Sequence, residues 1–336
     1  MGVRRTSSAM KYPQVGRPDE AGACDKGFAV GVRSCYYPVR RFTGAAIFRG
    51  AMNCLFVSDL HGHTDRYEKL LVLISDERPG AVFLGGDLLP HAGGLGSGPA
   101  DIENFVRDFL AVQFGEVRSR LGAEAPRLFL ILGNDDPRVY EEDVRTEAAS
   151  GIWEYLHNST VDFEGCPVYG YSCVPPTPFR LKDWERYDVS RYLDPGDISP
   201  EEGVRTVEVP PHEVRYRTIA EDLNRLTDGK DLSRAIFLFH SPPYQTKLDR
   251  VAGDGKMIDH VPLDVHVGSI AVRRFIEDRQ PLLTLHGHIH ESPRLTGDWR
   301  EKIGRTHMFS AAHDGPELCV VRFDPERLEK ASRELL

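Results

Sequence analysis

The stretch Cys54-Leu55-Phe56-Val57-Ser58-Asp59-Leu60-His61-Gly62-His63 decides the fold. Four apolar residues in a row, closed by Ser and Gly, predict a short strand buried on both faces. An aspartate and two histidines stand at its carboxyl end. The arrangement returns four times. Ala81-Val82-Phe83-Leu84 leads into Gly85-Gly86-Asp87, and Leu128-Phe129-Leu130-Ile131-Leu132 into Gly133-Asn134-Asp135-Asp136. Ala235-Ile236-Phe237-Leu238-Phe239 leads into His240-Ser241-Pro242-Pro243, and Leu282-Leu283-Thr284-Leu285 into His286-Gly287-His288-Ile289-His290. Helical patterns lie between these runs. Over 101–117, Ile102, Phe105, Phe109 and Val112 form one apolar stripe, and 65–77, 142–157, 216–228 and 269–279 are weaker candidates. Strand and helix in alternation predict an α/β domain, with its chemistry gathered at the carboxyl ends of the strands.

The spacings give those strand ends a purpose. Asp59 and His61 are two residues apart, as are His288 and His290, and in extended backbone such residues point the same way. Glycines 85, 86, 133 and 287 permit tight turns and close backbone approach. Carboxylate, amide and imidazole together suit borderline divalent ions such as Mn, Fe, Zn, Co or Ni, whereas an all-oxygen Mg or Ca site needs fewer histidines. Plainer readings stand beside this one. Asp59 alone could cap a helix, and His286 reads as structural. Lys247 and Arg250, in the run after His240, offer charge for a phosphate or are simply solvated.

The rest of the chain narrows the function class. With 336 residues, 40% hydrophobic and 28% charged, it has the balance of a soluble globular protein. No apolar run approaches the roughly 18 residues that a membrane span needs. A net charge of -9 weighs against binding long nucleic acid. Six scattered cysteines form neither a zinc-ribbon pair nor a disulfide framework, which predicts reduced thiols and a cytoplasmic protein. Residues 1–51, rich in Gly, Arg, Ser and Pro, read as a poorly ordered extension, with Met52 a candidate true start and 52–336 the domain. The glycine-rich loop 91–99 lacks the Gly-Lys-Ser/Thr of a phosphate-binding P-loop and reads as mobile. Residues 174–213 read as a long excursion over one edge of the sheet.

The ordered set of motifs resembles the calcineurin-like metallophosphoesterase family. That family's pattern runs Asp-x-His, Gly-Asp, Gly-Asn-His, a lone His, then Gly-His-x-His. Here Asp59-Leu60-His61, Gly86-Asp87, Gly133-Asn134-Asp135, His240 and Gly287-His288-Ile289-His290 follow in order, over about 52–320. The resemblance implies a four-layer sandwich of two mixed β-sheets flanked by helices. It implies two divalent metal ions, one on Asp59, His61 and His290, the other on Asn134, His240 and His288, with Asp87 shared. It also implies hydrolysis of a phosphate mono- or diester, a nucleotide among the candidates, by a metal-bridging hydroxide. Asn134 then belongs to the catalytic set. The match departs from the pattern at Asp135, where the family usually has a phosphate-contacting histidine. Asp135 with a raised pKa could act as general acid. His63 could take the missing role. Or the chain could be a catalytically weak metal-binding scaffold or interaction protein.

Overall fold

The computed structural model describes residues 52–91, 102–258 and 260–336. Residues 1–51 and the glycine-rich run after His91, read above as an extension and a mobile loop, lie outside the described residues. In chain order the strands are β1 (Cys54–Val57), β2 (Ala81–Gly85), β3 (Arg127–Ile131), β4 (Glu154–Tyr155), β5 (Ser159–Phe163), β6 (Cys166–Tyr171) and β7 (Ile236–Phe239). They continue as β8 (Met257–Ile258), β9 (Val261–Pro262), β10 (Leu283–His286), β11 (Arg300–Ile303), β12 (Thr306–Ser310), β13 (Cys319–Phe323) and β14 (Ser332–Leu335).

Two six-stranded sheets result, in the orders β14-β13-β1-β2-β3-β4 and β11-β12-β10-β7-β6-β5. Both are mixed. In the first, β1 to β4 run parallel and β13 and β14 add antiparallel strands. In the second, β6, β7, β10 and β12 run parallel between antiparallel edges. Because side chains alternate across a strand, each central strand feeds two cores. Cys54, Phe56, Phe83 and Phe129 meet Ile236, Leu238, Leu285 and Phe309 between the sheets. Leu55, Val57, Leu84 and Leu130 join Leu70 and Ile74 of the helix Thr64–Glu77 on an outer face. Phe237 and Phe239 join Phe275 and Ile276 of the helix Ile270–Arg279. Burial on both faces is why these strands read as unbroken apolar runs.

The structure moves two of the helical expectations. The chain from 105 begins as a π-helical segment, Phe105–Leu110, before the α-helix Ala111–Leu121. A π turn bonds residue i to i+5 and takes in more residues, so the stripe slips out of phase. Phe105, Val106, Leu110, Phe114 and Val117 form the buried face, and Val112 is exposed. The segment 142–157 divides into the helix Glu141–Ala149 and the strand β4, with Gly151 at φ 85° between them. Among the described residues no helix is long and apolar enough to cross a membrane.

Candidate metal centre

Five loops, after β1, β2, β3, β7 and β10, carry the motif residues to one place. Those after β1 and β2 are zipped by backbone hydrogen bonds: Asp59 N–H to Gly86 O (3.0 Å), His61 N–H to Asp87 O (2.8 Å) and Gly62 N–H to Leu88 O (2.9 Å). The expectation that Asp59 and His61, and His288 and His290, converge through extended backbone is not what happens. Asp59 (φ 59°), His61 (φ 48°), Asp87 (φ 52°) and His288 (φ 72°) all lie in the left-handed region. Such a conformation costs a non-glycine residue on the order of 1–3 kcal/mol and persists only where the surroundings impose it. Here the zipped loops do so for Asp59, His61 and Asp87, and His288 N–H donates to Asp59 Oδ1 at 3.0 Å. Two glycines let the loops close. A Cβ on Gly133 would strike the Asp87 carboxylate and lie 2.5 Å from its backbone N, and one on Gly287 would lie 2.7 Å from Asp59 Oδ2.

Six of the seven residues fall into two groups whose ligand atoms converge. Asp59, His61, Asp87 and His290 make one, and Asp87, His240 and His288 the other, so Asp87 belongs to both. In the first group His290 Nε2 lies 3.3 Å from Asp59 Oδ1 and 3.2 Å from His61 Nε2. In the second, His240 Nε2 lies 3.1 Å from Asp87 Oδ2 and 3.1 Å from Asn134 Oδ1. Its other nitrogen, Nδ1, is 2.8 Å from Gly85 O, which fixes the ring with Nε2 inward. Nearly all of this is buried: Asp59, His61, Asp87, Asn134 and His240 are 5% exposed or less.

The electrostatics of the cluster are dominated by burial and by close carboxylate–imidazole pairs. Burial alone would raise the Asp87 carboxyl, but the charge and hydrogen bond of His240 drive it far below the carboxylate range. Burial likewise opposes the ionised form of Asp59, yet its hydrogen bond with His290 carries it down to about 2. Burial depresses His240, and Asp87 outweighs that and lifts the imidazole to about 10. Burial lowers His61 to about 4 and, with the repulsion of His240, His288 to about 3. Asp59 Oδ2 is buried with no hydrogen-bond partner among the described residues. A buried orphan oxygen, a nitrogen facing two oxygens, and two ring nitrogens facing each other fit divalent metal ions of the nitrogen- and oxygen-seeking kind.

The other expected residues are placed as follows. Asp135 is half-buried beside this group, and burial together with the Asp87 charge pushes its carboxyl up to about 7. His63 caps the helix Thr64–Glu77 from its extended N-cap position, makes no side-chain cap bond and joins no group of converging ligands among the described residues. His286 is buried between Ser241 O and the Thr284 hydroxyl, a structural residue as read. Lys247 and Arg250 are each paired, with Asp298 and Asp254. Sequence reasoning passed over two residues. His91 was absorbed into the glycine run, although it follows Asp87 closely, and it forms a third group with His61 and Asp135. Asp136, second of an Asp pair, is fully buried and accepts from the backbone N–H groups of Leu88, Leu89 and Gly133 (3.1, 2.7 and 2.8 Å). The excursion 174–213 braces it: buried Trp184 donates its indole N–H to Asp136 O at 2.8 Å.

Comparison with known proteins follows the same lines. Residues 52–292 match the family model described as calcineurin-like phosphoesterase. No curated protein matches the chain. Among solved structures, one matches over 85% of this chain and 99% of its own, at 15% identity and a TM-score of 0.52. TT1561 of Thermus thermophilus matches over 85% and 99%, at 18% identity and a TM-score of 0.49. A structure described as a novel archaeal phosphodiesterase matches over 85% and 100%, at 11% identity and a TM-score of 0.40. At 15% identity the first of these likenesses concerns the fold alone.

Proposed function

The chain belongs to the calcineurin-like phosphoesterase family and is a phosphoric ester hydrolase, and from that premise we propose that it cleaves phosphate mono- or diesters at a dinuclear metal centre. The observation that carries this reading is the double membership of Asp87, one carboxylate facing both groups of ligands. Asp59, His61 and His290 would hold the first ion with it, and Asn134, His240 and His288 the second. Two bound divalent ions would supply a clamp for the phosphoryl oxygens and acidify a water near neutral pH. The protein's own residues do the remaining work. Gly85 O holds the His240 ring in its inward orientation. Asp135 N–H donates to Asp87 Oδ1 at 2.8 Å and keeps the shared carboxylate in place. Across the reaction one water is consumed: its oxygen ends on phosphorus, and the leaving alcohol takes up a proton as its P–O bond breaks.

The substrate is a phosphate ester, with nucleotides among the candidates. The net charge of -9 speaks for a small anion guided by bound cations rather than a long nucleic acid. Scattered cysteines, buried and unpaired at 54, 166, 173 and 319, suit a cytoplasmic protein. The test is turnover of p-nitrophenyl phosphate and bis-p-nitrophenyl phosphate by metal-stripped protein given back Mn, Ni, Co, Zn or Mg. Metal-dependent turnover is expected, reduced about 10²-fold or more in Asp87→Asn. Protein that binds metal yet cleaves neither ester would defeat the proposal.

A further inference from the structure

The third ligand group shares His61 with the first, and its outermost member, His91, has no part in the reading so far. Asp135 stands where the family's phosphate-contacting histidine would be, and a bare carboxylate there repels a phosphate. Its two oxygens are differently engaged. Oδ1 accepts from Asn134 Nδ2 at 3.1 Å. Oδ2 lies 3.4 Å from His91 Nδ1 and 3.9 Å from His61 Nδ1. The His91 ring stacks on that of His61, with centroids 4.6 Å apart and planes 22° from parallel. His61 Nδ1 is buried and has no hydrogen-bond partner among the described residues, so a polar atom of a metal-ligand ring points into this group unsatisfied. The His91 side chain is 53% exposed, whereas His61, one layer in, is 6% exposed. One carboxylate oxygen thus sits between an inner ring committed to metal and an outer ring open to arriving ester.

We propose that His91, positioned by Asp135, is the imidazole that contacts the substrate's phosphoryl group in place of the missing third-motif histidine. This rests on the hydrolase reading above. A carboxylate on one ring nitrogen fixes the orientation of an imidazole and leaves its other nitrogen for a second partner. His91 then hydrogen-bonds the ester oxygen that departs. As the P–O bond to that oxygen breaks and the water oxygen bonds phosphorus, the departing oxygen gains charge and finally a proton, and a hydrogen bond to it counts most where charge builds. His91 touches substrate and is catalytic; Asp135 acts through His91 and positions it. The geometry thereby gives Asp135 a task without making it the acid itself, and it leaves His63 as a helix cap.

The experiment uses the full chain loaded with Mn²⁺, the metal content of every variant being measured first. Aryl esters of the preferred class are compared, with phenol and with p-nitrophenol as leaving group. His91→Gln should keep its Mn and lose about 10²-fold in kcat/KM on the phenyl ester, and far less on the p-nitrophenyl ester. Asp135→Ala should repeat that pattern, and Asp135→Asn, which keeps an acceptor for the ring, should recover most of the loss. Inorganic phosphate should bind His91→Gln about tenfold more weakly than wild type. Equal losses on both esters with phosphate binding unchanged would overturn the proposal, as would the leaving-group pattern appearing in His63→Gln and not in His91→Gln. If the wild type turns over neither ester, the hydrolase reading fails separately. Phosphate affinity then decides on His91, and an unchanged value in His91→Gln rejects it.

Discussion

His240 Nε2 faces Asp87 Oδ2 and Asn134 Oδ1, each 3.1 Å away, and without metal a proton must occupy that meeting point. Burial disfavours the charged ring, but Asp87 prevails and lifts it to about 10 from an ordinary 6.5. A raised imidazole stabilises the fold fully below its unfolded value and loses that contribution as pH climbs to about 10, so the stripped protein should weaken across that interval. A metal needs the same nitrogen unprotonated. Metal affinity should therefore rise with pH, and titration calorimetry at pH 7 in buffers of differing ionisation enthalpy should register proton release on binding. No release would remove His240 from the ligand set. Gly133 makes a second prediction at this scale, because a methyl group there meets the Asp87 carboxylate and backbone. Gly133→Ala should cost about 1–3 kcal/mol of stability and weaken metal binding, both measurable on the same sample. An alanine variant with wild-type metal affinity would show that Asp87 does not depend on this close approach. The seven candidate ligands were legible in the sequence because their residue types and order carry the chemistry. His91 and Asp136 were not, because neighbouring letters do not reveal that loops separated by some forty residues share one carboxylate.

Loops joined through one buried group behave as a single element. Asp136 accepts three backbone N–H groups from the chain after β2 and the turn after β3, and its own carbonyl takes the Trp184 indole. Asp136→Ala leaves those donors buried without partners, at about 1–3 kcal/mol each before relaxation. A loss of about 3 kcal/mol in urea unfolding is expected, with metal binding impaired as well. Asp136→Asn, which retains one carbonyl oxygen, should lose less. If Asp136→Ala unfolds at the wild-type urea concentration and binds metal normally, the two loops are held by something else. Legibility at this scale followed burial. Strands β1, β2, β3, β7 and β10 were apparent as apolar runs because they are covered on both faces. The edge strands β5 and β11 alternate exposed and half-buried positions and are too polar to announce themselves. The π segment at 105–110 defeated a periodicity argument for a different reason: the pattern was present, but the period was not 3.6.

At the scale of the whole molecule the centre lies on a seam. Asp59, His61, Asp87 and Asn134 follow strands of the first sheet, while His240, His288 and His290 follow strands of the second. Each ligand group contains residues from both sheets, so an ion bound in either would tie the two halves of the sandwich together. The apolar layer between the sheets already holds them, with Phe56, Phe83, Phe129 and Phe309 at its centre. Metal bound in these groups would add to the cohesion that this layer supplies. Its contribution takes the form of binding linked to unfolding, about 2.7 kcal/mol per site at a hundredfold excess over Kd. For a domain of this size that amounts to roughly 5–10 °C in Tm for the first ion, rising further with metal concentration. Scanning calorimetry of stripped protein across a Mn²⁺ series should show this rise, and a chelator should reverse it. Asp87→Asn should flatten the series, since both groups lose their shared carboxylate, whereas His288→Gln should spare part of the rise through the intact first group. A Tm independent of Mn²⁺ in wild type would mean that the ligands do not bridge the sheets in solution. Equal responses in the two variants would mean that Asp87 is not shared.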